Sequence, residues 1–294
     1  MKPTCVEKSA RTEVKRSSET LCVLPLLKPL IMASDKWEPN GHIQQNQLLF
    51  LFDRAKIDLE KVPEIASFSS GDVEAVNRFL EEQGFHVQLP PRSPGRPGFA
   101  IATRLNVLVK WFESGMITTL CVEKYPAVRI GSGVKFYHSS TPNPICVIET
   151  KSLDRVYMTV WNDSPSGFDL LTAVLAVKKN LSETDQYRGV VFPMITRDKE
   201  ENVSWMKGLA TNTGVSLEVN AAVQQTRFWM NQVGARVDSA AAVSFVLLCG
   251  RGPIPKPDLI IDQPFVLWVE RPGVSLPIIV AHFAHDSWKK PSEL

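Results

Sequence analysis

The 294-residue chain carries 33 lysines and arginines against 31 acids, a net charge of +2, so nothing electrostatic points to a nucleic-acid partner. With 44% hydrophobic and 22% charged residues it has the makings of a sizeable core, in one large domain or two small ones. Its five cysteines (Cys5, Cys22, Cys121, Cys146, Cys249) form no CxxC pair and leave a thiol over in any intrachain scheme, which argues against a structural zinc site and a disulfide framework.

Residues 1–36 differ from the rest. Lys2, Lys8, Arg11, Lys15 and Arg16 are interspersed with acids, and the apolar run at 21–33 is broken by Pro25, Lys28 and Pro29. That run is too short and too interrupted to span a membrane. The segment reads as a disordered or targeting leader, with cleavage of a signal peptide near Ser34 as its targeting form.

Between 43 and 59, Leu48, Leu49, Leu51, Phe52 and Ile57 predict one amphipathic helix. A second helix starts at a Ser70 or Asp72 cap, buries Val73, Val76, Phe79 and Leu80, and stops at Gly84. PPRSPGRPG at 90–98 is a surface linker. Residues 100–111 then read as a strand, Leu105, Val107, Val109 and Trp111 alternating with Arg104, Asn106 and Lys110.

Short strands are expected at 128–130, 134–137, 146–149 and 156–161, closed by a turn at 162–165. A helix over 168–179 places Phe168, Leu171, Val174 and Leu175 inside. A strand at 190–193, a short helix at 202–209 and a long strand at 217–233 follow. The chain ends in a hairpin, 265–270 with 275–283, turned at Arg271-Pro272-Gly273. Many strands and several helices without βαβ alternation define an α+β fold.

Residues 234–265 stand apart. A run of small residues from Ser239 to Ala242 leads into an apolar segment, a Cys-Gly-Arg-Gly tip and a proline-spaced exit. Val237, Val243 and Val246 are β-branched and no polar face recurs at helical spacing, so the stretch reads as an extended loop between strands. A connection of this length is either functional or disordered.

Six segments now line up with one known pattern. They are VEAVNRFLEEQGF (with Val76-Asn77 and Phe79 to Gly84), TRLNVLVKW (Asn106), VVFPMITRDKEENVSWMKGL (Phe192-Pro193), VQQTRFWMNQVGARVDSAAA (Gly234), DQPFVLWV and LPIIVAHF. In this order they resemble landmarks of the serpins, the serine-proteinase inhibitor superfamily. Each match is weak alone; six in family order are specific. Nothing over 37–70 resembles the family's early helices, the strand beside the third strand of its central sheet is missing, and Ala281 stands where a glycine is usual. The resemblance is therefore to an N-terminally truncated or divergent member, with 37–294 as a single domain.

The resemblance implies a serpin-like α+β fold of mixed sheets with several helices and an exposed reactive-centre loop. It implies a monomer that is not an enzyme, needs no cofactor or metal, and meets a trypsin-like or chymotrypsin-like serine proteinase. It also implies an extracellular setting, with the cytoplasm as the alternative because no clear signal peptide is present. The loop hinge falls on Gly234, Ala235, Arg236, Val237, Asp238, Ser239 and Ala240. Insertion of this segment as a strand needs small side chains at period two. Ala235, Val237, Ser239 and Ala241 would point inward, and Arg236, Asp238 and Ala240 outward.

Four features depart from the inhibitory pattern: Gln232-Val233 before the glycine, Ala235 for the usual Thr or Ser, the Val237-Asp238 pair, and the missing early elements. A non-inhibitory serpin-like carrier or interaction protein is thus the rival expectation. The scissile bond falls at Leu248-Cys249 when counted from Gly234, and at Arg251-Gly252 when counted back from Pro264; the exposed Arg251 favours the latter and a trypsin-like enzyme. No GxSxG elbow or phosphate-binding glycine loop occurs. His282 and His285, three apart on an expected strand, would face opposite ways and could not share a metal.

Overall fold

The computed structural model describes residues 17–92, 98–121, 124–141, 143–211, 216–235 and 256–291. The chain begins with β1 (Glu19–Leu21), α1 (Val23–Ala33), α2 (Ile43–Phe50), α3 (Phe52–Leu59), β2 (Ile65–Ser70) and α4 (Val73–Glu82). Next come β3 (Ala100–Leu105), β4 (Val109–Lys110), β5 (Met116–Leu120), β6 (Tyr125–Ile130), β7 (Val134–His138), β8 (Ile145–Glu149) and β9 (Arg155–Val160). After α5 (Gly167–Val177) lie β10 (Ser182–Thr184), β11 (Gly189–Pro193), β12 (Ile195–Glu201), β13 (Gln224–Met230) and β14 (Gly234–Ala235). The last three strands are β15 (Asp258–Ile260), β16 (Phe265–Glu270) and β17 (Ile279–Phe283).

A seven-stranded sheet, β1-β17-β16-β9-β8-β7-β10, forms the centre. Its strand β16, FVLWVE, is buried throughout because both of its faces are covered. Val266 and Trp268 enter the core beneath α1, α3 and α5, whereas Phe265, Leu267 and Val269 enter a second core on the other face. A four-stranded sheet, β15-β11-β6-β5, lies apart, with β15 parallel to β11. Three two-stranded ribbons complete the set: β2-β3, β12-β13 and β14-β4.

Several sequence expectations change here. Residues 19–33, expected to be disordered or targeting, are part of the folded body: β1 pairs with β17, and α1 buries Leu24 and Leu27 completely. The run is apolar nearly all round because the helix sits inside the core. Pro25 is tolerated in the first turn, where no intrahelical bond is due to its nitrogen. The strand missing next to the third is β2, whose Ile65 to Ser70 pair with Leu105 to Ala100. Its sequence, IASFSS, has too little alternation to announce a strand.

The single helix expected over 43–59 is two, broken at Leu51 (φ −94°, ψ −3°). Asp72 is the cap of α4, accepting from the Glu74 backbone N–H at 3.0 Å, and Gly84 ends the helix at φ +77°. The strand over 100–111 is interrupted between β3 and β4. Phe192-Pro193 belongs to β11 in the four-stranded sheet, and it is β12 that pairs with β13. The expected helix at 202–209 is only a 3-10 turn at Ser204–Met206, and His285 lies in another at His285–Ser287, past the end of β17. Among the described residues no helix is long and apolar enough to cross a membrane.

Candidate functional site

At the end of β13 the chain doubles back on itself. The Asn231 backbone N–H donates to the Gly234 carbonyl at 3.0 Å, and the Val233 N–H donates to the Asn231 side-chain oxygen at 2.8 Å. Trp111, 2% exposed and edge-on to Phe192 at 6.0 Å, holds this turn from the other side. Its backbone N–H donates to the Val233 carbonyl (3.2 Å) and its indole N–H to the Asn231 carbonyl (2.9 Å). Strand β14 then pairs antiparallel with β4, Gly234 opposite Lys110 and Ala235 opposite Val109. Gly234 is required here. Its φ is +149°, and a Cβ would stand 2.3 Å from the Val109 carbonyl oxygen.

β14 runs back beside β13 and is antiparallel to β4, so β4 and β13 are mutually parallel. Below β14 the ribbons β2-β3 and β12-β13 part, and no ladder joins β3 to β13 among the described residues. Between them lies a cleft of about 690 Å³. Leu26 and Leu30 of α1 line it, together with Leu105, Val107, Thr226 and Phe228. Among the described residues both flanking strands therefore present an unladdered backbone edge to one shared space lined by apolar and polar side chains.

The alternation along β13 sorts its side chains. Thr226 and Met230 are buried and Phe228 packs on Phe283, so the even positions face inward. The odd positions face the loop after α4. The Gln225 side-chain oxygen accepts from the His86 N–H at 2.7 Å. Arg227 donates to the Gly84 and Gln83 carbonyls at 3.0 and 2.9 Å, and its guanidinium lies over Phe85 at 4.5 Å and Trp229 at 5.5 Å. The Nε atoms of Arg227 and of Arg104 on β3 are buried without a hydrogen-bond partner.

At the far end of the β12-β13 ribbon, where Glu201 is opposite Gln224, lies an ionic cluster. Arg197, its side chain 3% exposed, pairs with Glu201 at 2.5 Å, and the Thr20 hydroxyl donates to the same carboxylate. Cys22 lines the cleft, and burial, with the nearby Glu201 charge, pushes its thiol up to about 12. Burial does the same to Cys146, also to about 12. Neither is a reactive thiolate. Where the chain returns after the loop, Asp258 of β15 is held by Arg129 at 2.7 and 2.9 Å; that guanidinium keeps the carboxyl below its usual range.

Of the residues singled out in the sequence, Gly234 and Ala235 lie in β14. Arg236, Val237, Asp238, Ser239, Ala240, Leu248, Cys249, Arg251 and Gly252 lie outside the described residues. Sequence reasoning missed the cleft itself and its two arginines. The strict alternation of Thr226, Phe228 and Met230 with Arg227 and Trp229 was the available signal, but it does not say which strand lies alongside.

No protein-family model matches the sequence, and no curated protein matches it. Solved structures do. A serpin from Schistosoma mansoni superposes with a TM-score of 0.58 at 13% identity, over 92% of this chain and 96% of that one. Serpin48, a highly specific serpin of the insect Tenebrio molitor, gives 0.56 at 12% identity, over 91% and 92%. Thyroxine-binding globulin in complex with thyroxine gives 0.55 at 9% identity, over 93% and 94%. The chain has the serpin fold: α+β, with several helices and multiple mixed sheets. At these identities the likeness is one of fold.

Proposed function

We propose that the protein is a serine-proteinase inhibitor that works by being attacked in the loop that follows Ala235. The observation that supports this is the strand-ready cleft: β14 already occupies its upper end, and the two parallel edges below are both antiparallel to any continuation of β14. In this reading the proteinase serine oxygen adds to the carbonyl of the scissile peptide bond. The C–N bond breaks, the new amine leaves with a proton relayed by the proteinase histidine, and an ester joins the enzyme to the loop. The freed hinge then enters the cleft as a strand, gaining ladder bonds on both sides, and carries the acylated enzyme with it. Arg251-Gly252 is the preferred bond, with a trypsin-like target, and Leu248-Cys249 the alternative. We place the protein outside the cell and as a monomer on the strength of the same fold likeness.

The test is incubation with trypsin-like and chymotrypsin-like proteinases followed by denaturing electrophoresis. A complex that survives denaturant supports inhibition, and clean cleavage without a complex defeats it. Mass analysis of the released C-terminal fragment then identifies the bond. The second reading, a carrier, is favoured by the 690 Å³ cleft, where the apolar side chains of Leu26, Leu30, Leu105 and Phe228 stand beside polar groups, as a small-ligand site requires. It predicts that an apolar ligand raises the melting temperature of the intact protein and that nicking the loop does not.

A further inference from the structure

The tripeptide Asn-Xaa-Ser occurs three times, at 162–164, 180–182 and 202–204. In a secreted chain it is the acceptor for an oligosaccharide, and so belongs on the surface. The fold treats the three copies differently. In the second and third the middle residue is the anchor: Leu181 packs against the core beneath α1, α3 and α5, and Val203 lies within it at 5% exposed. Asn180 and Ser182 are exposed on either side of the one, Asn202 and Ser204 on either side of the other. The first copy is inverted, with Asp163 exposed and Ser164 only 1% exposed.

The side-chain nitrogens differ as well. Asn162 donates its Nδ2 to the Gln263 side-chain oxygen at 2.8 Å. Pro165 also restricts Ser164 to extended backbone, in the unfolded chain as in the folded one. Asn202 uses its oxygen locally, accepting from the Ser204 backbone N–H at 3.1 Å and from the Ser204 hydroxyl at 2.7 Å. Among the described residues its Nδ2 makes no hydrogen bond. The same is true of Asn180, exposed in the 3-10 turn Lys178–Asn180 that ends α5.

We propose that Asn180 and Asn202 are N-glycosylation sites and that Asn162 is not. The donor is a lipid-diphosphate-linked oligosaccharide. The asparagine Nδ2 attacks its anomeric carbon, an N–C bond forms, the C–O bond to phosphate breaks, and the proton lost from nitrogen leaves with the lipid diphosphate. Asn202 follows β12 at the end where Glu201 is opposite Gln224, the length of the ladder, about 20 Å, from Ile195 and Met230. Its sugar therefore stands away from the hairpin at Gly234 and leaves the start of the attacked loop clear. This rests on the extracellular placement above.

The experiment expresses the full chain in animal cells, once as it stands and once behind an added cleavable secretion signal, with cells and medium assayed together. Peptide N-glycosidase removes the sugars and converts each occupied asparagine to aspartate, which denaturing electrophoresis and peptide mass spectrometry read. Both forms should lose apparent mass on treatment, with conversion at Asn180 and Asn202 and none at Asn162. Asn180→Gln and Asn202→Gln should each remove one step of that shift, and the double variant all of it. If Asn202→Gln does not fold, Ser204→Ala should remove the same step and Ser204→Thr keep it. No conversion at Asn180 and Asn202 behind the added signal overturns the proposal and leaves the inhibitor reading standing. Conversion at Asn162 overturns the selection among the three copies. Conversion only behind the added signal overturns the extracellular placement and upholds the two sites.

Discussion

β16 and β13 are strands of similar length, six and seven residues, each with large apolar side chains, yet they sit in opposite circumstances. β16 is paired on both edges, to β9 and β17, and every residue of it is buried. Among the described residues β13 is laddered on one edge only, to β12, and Phe228 and Trp229 are half-buried. A strand closed on all sides has nothing left to gain, whereas among the described residues β13 has an unladdered edge, an open cleft and a mate strand, β3, in the same condition. Stability is concentrated in the first region and the capacity for change in the second.

Breaking the closed region should cost most. Trp268 is fully buried, stacked on Tyr157 at 4.8 Å, with its indole N–H donating to Glu270 at 3.1 Å. Trp268→Ala should lower unfolding free energy by about 4 kcal/mol in urea titrations, against under about 1 kcal/mol for Trp229→Ala. Comparable losses would erase the contrast.

Next is the ionic tie beneath the final hairpin. Arg271 binds the fully buried Asp154 at 2.9 Å and Glu64 at 2.7 Å. Arg271→Ala strands the Asp154 charge and should cost about 3 kcal/mol by the same measurement. The Arg271 guanidinium lowers the Glu64 carboxyl below its usual range, as Arg129 does for Asp258. A lowered folded value means stability that is present above the ordinary carboxylate range and lost as pH falls through the folded values. Urea midpoints should therefore drop on acidification below about pH 4.5, and Arg271→Ala should flatten that drop.

Gly234→Val acts on the open region alone. Its Cβ would meet the Val109 carbonyl, so β14 should leave β4. Global stability should change by less than about 1 kcal/mol, while the Trp111 amide, which donates to Val233, exchanges faster. An unchanged Trp111 amide would show that the bridge does not depend on this glycine. The smallest effect concerns thiols: Cys22 and Cys146 should resist alkylation in the folded protein and react fully in denaturant.

These contrasts also explain how far the sequence could be read. α4 was legible because its cap, apolar stripe and terminating glycine agree with one another, and α5 because its apolar spacing is helical throughout. The end of the chain was legible because Pro272-Gly273 dictates the turn between β16 and β17. The order of β1 and α1 was not legible because prolines within a uniformly apolar run argue against a regular element, and only tertiary burial distinguishes a core helix. β2 escaped because IASFSS is a short ribbon strand without clear alternation. At the site, Gly234 was singled out from its place in the pattern, and its φ of +149° against the Val109 carbonyl gives a backbone reason for a glycine there. Arg104 and Arg227 were not, since they lie more than a hundred residues apart and line a cleft that local sequence cannot announce.

The central claim is that the space between β3 and β13 receives a strand. Amide hydrogen exchange along both edges, measured before and after a single nick within 236–255, tests it most directly. The account predicts new protection along β3 and β13 with none gained in β16, which is already fully paired. Exchange in β3 and β13 that stays the same after nicking would contradict it.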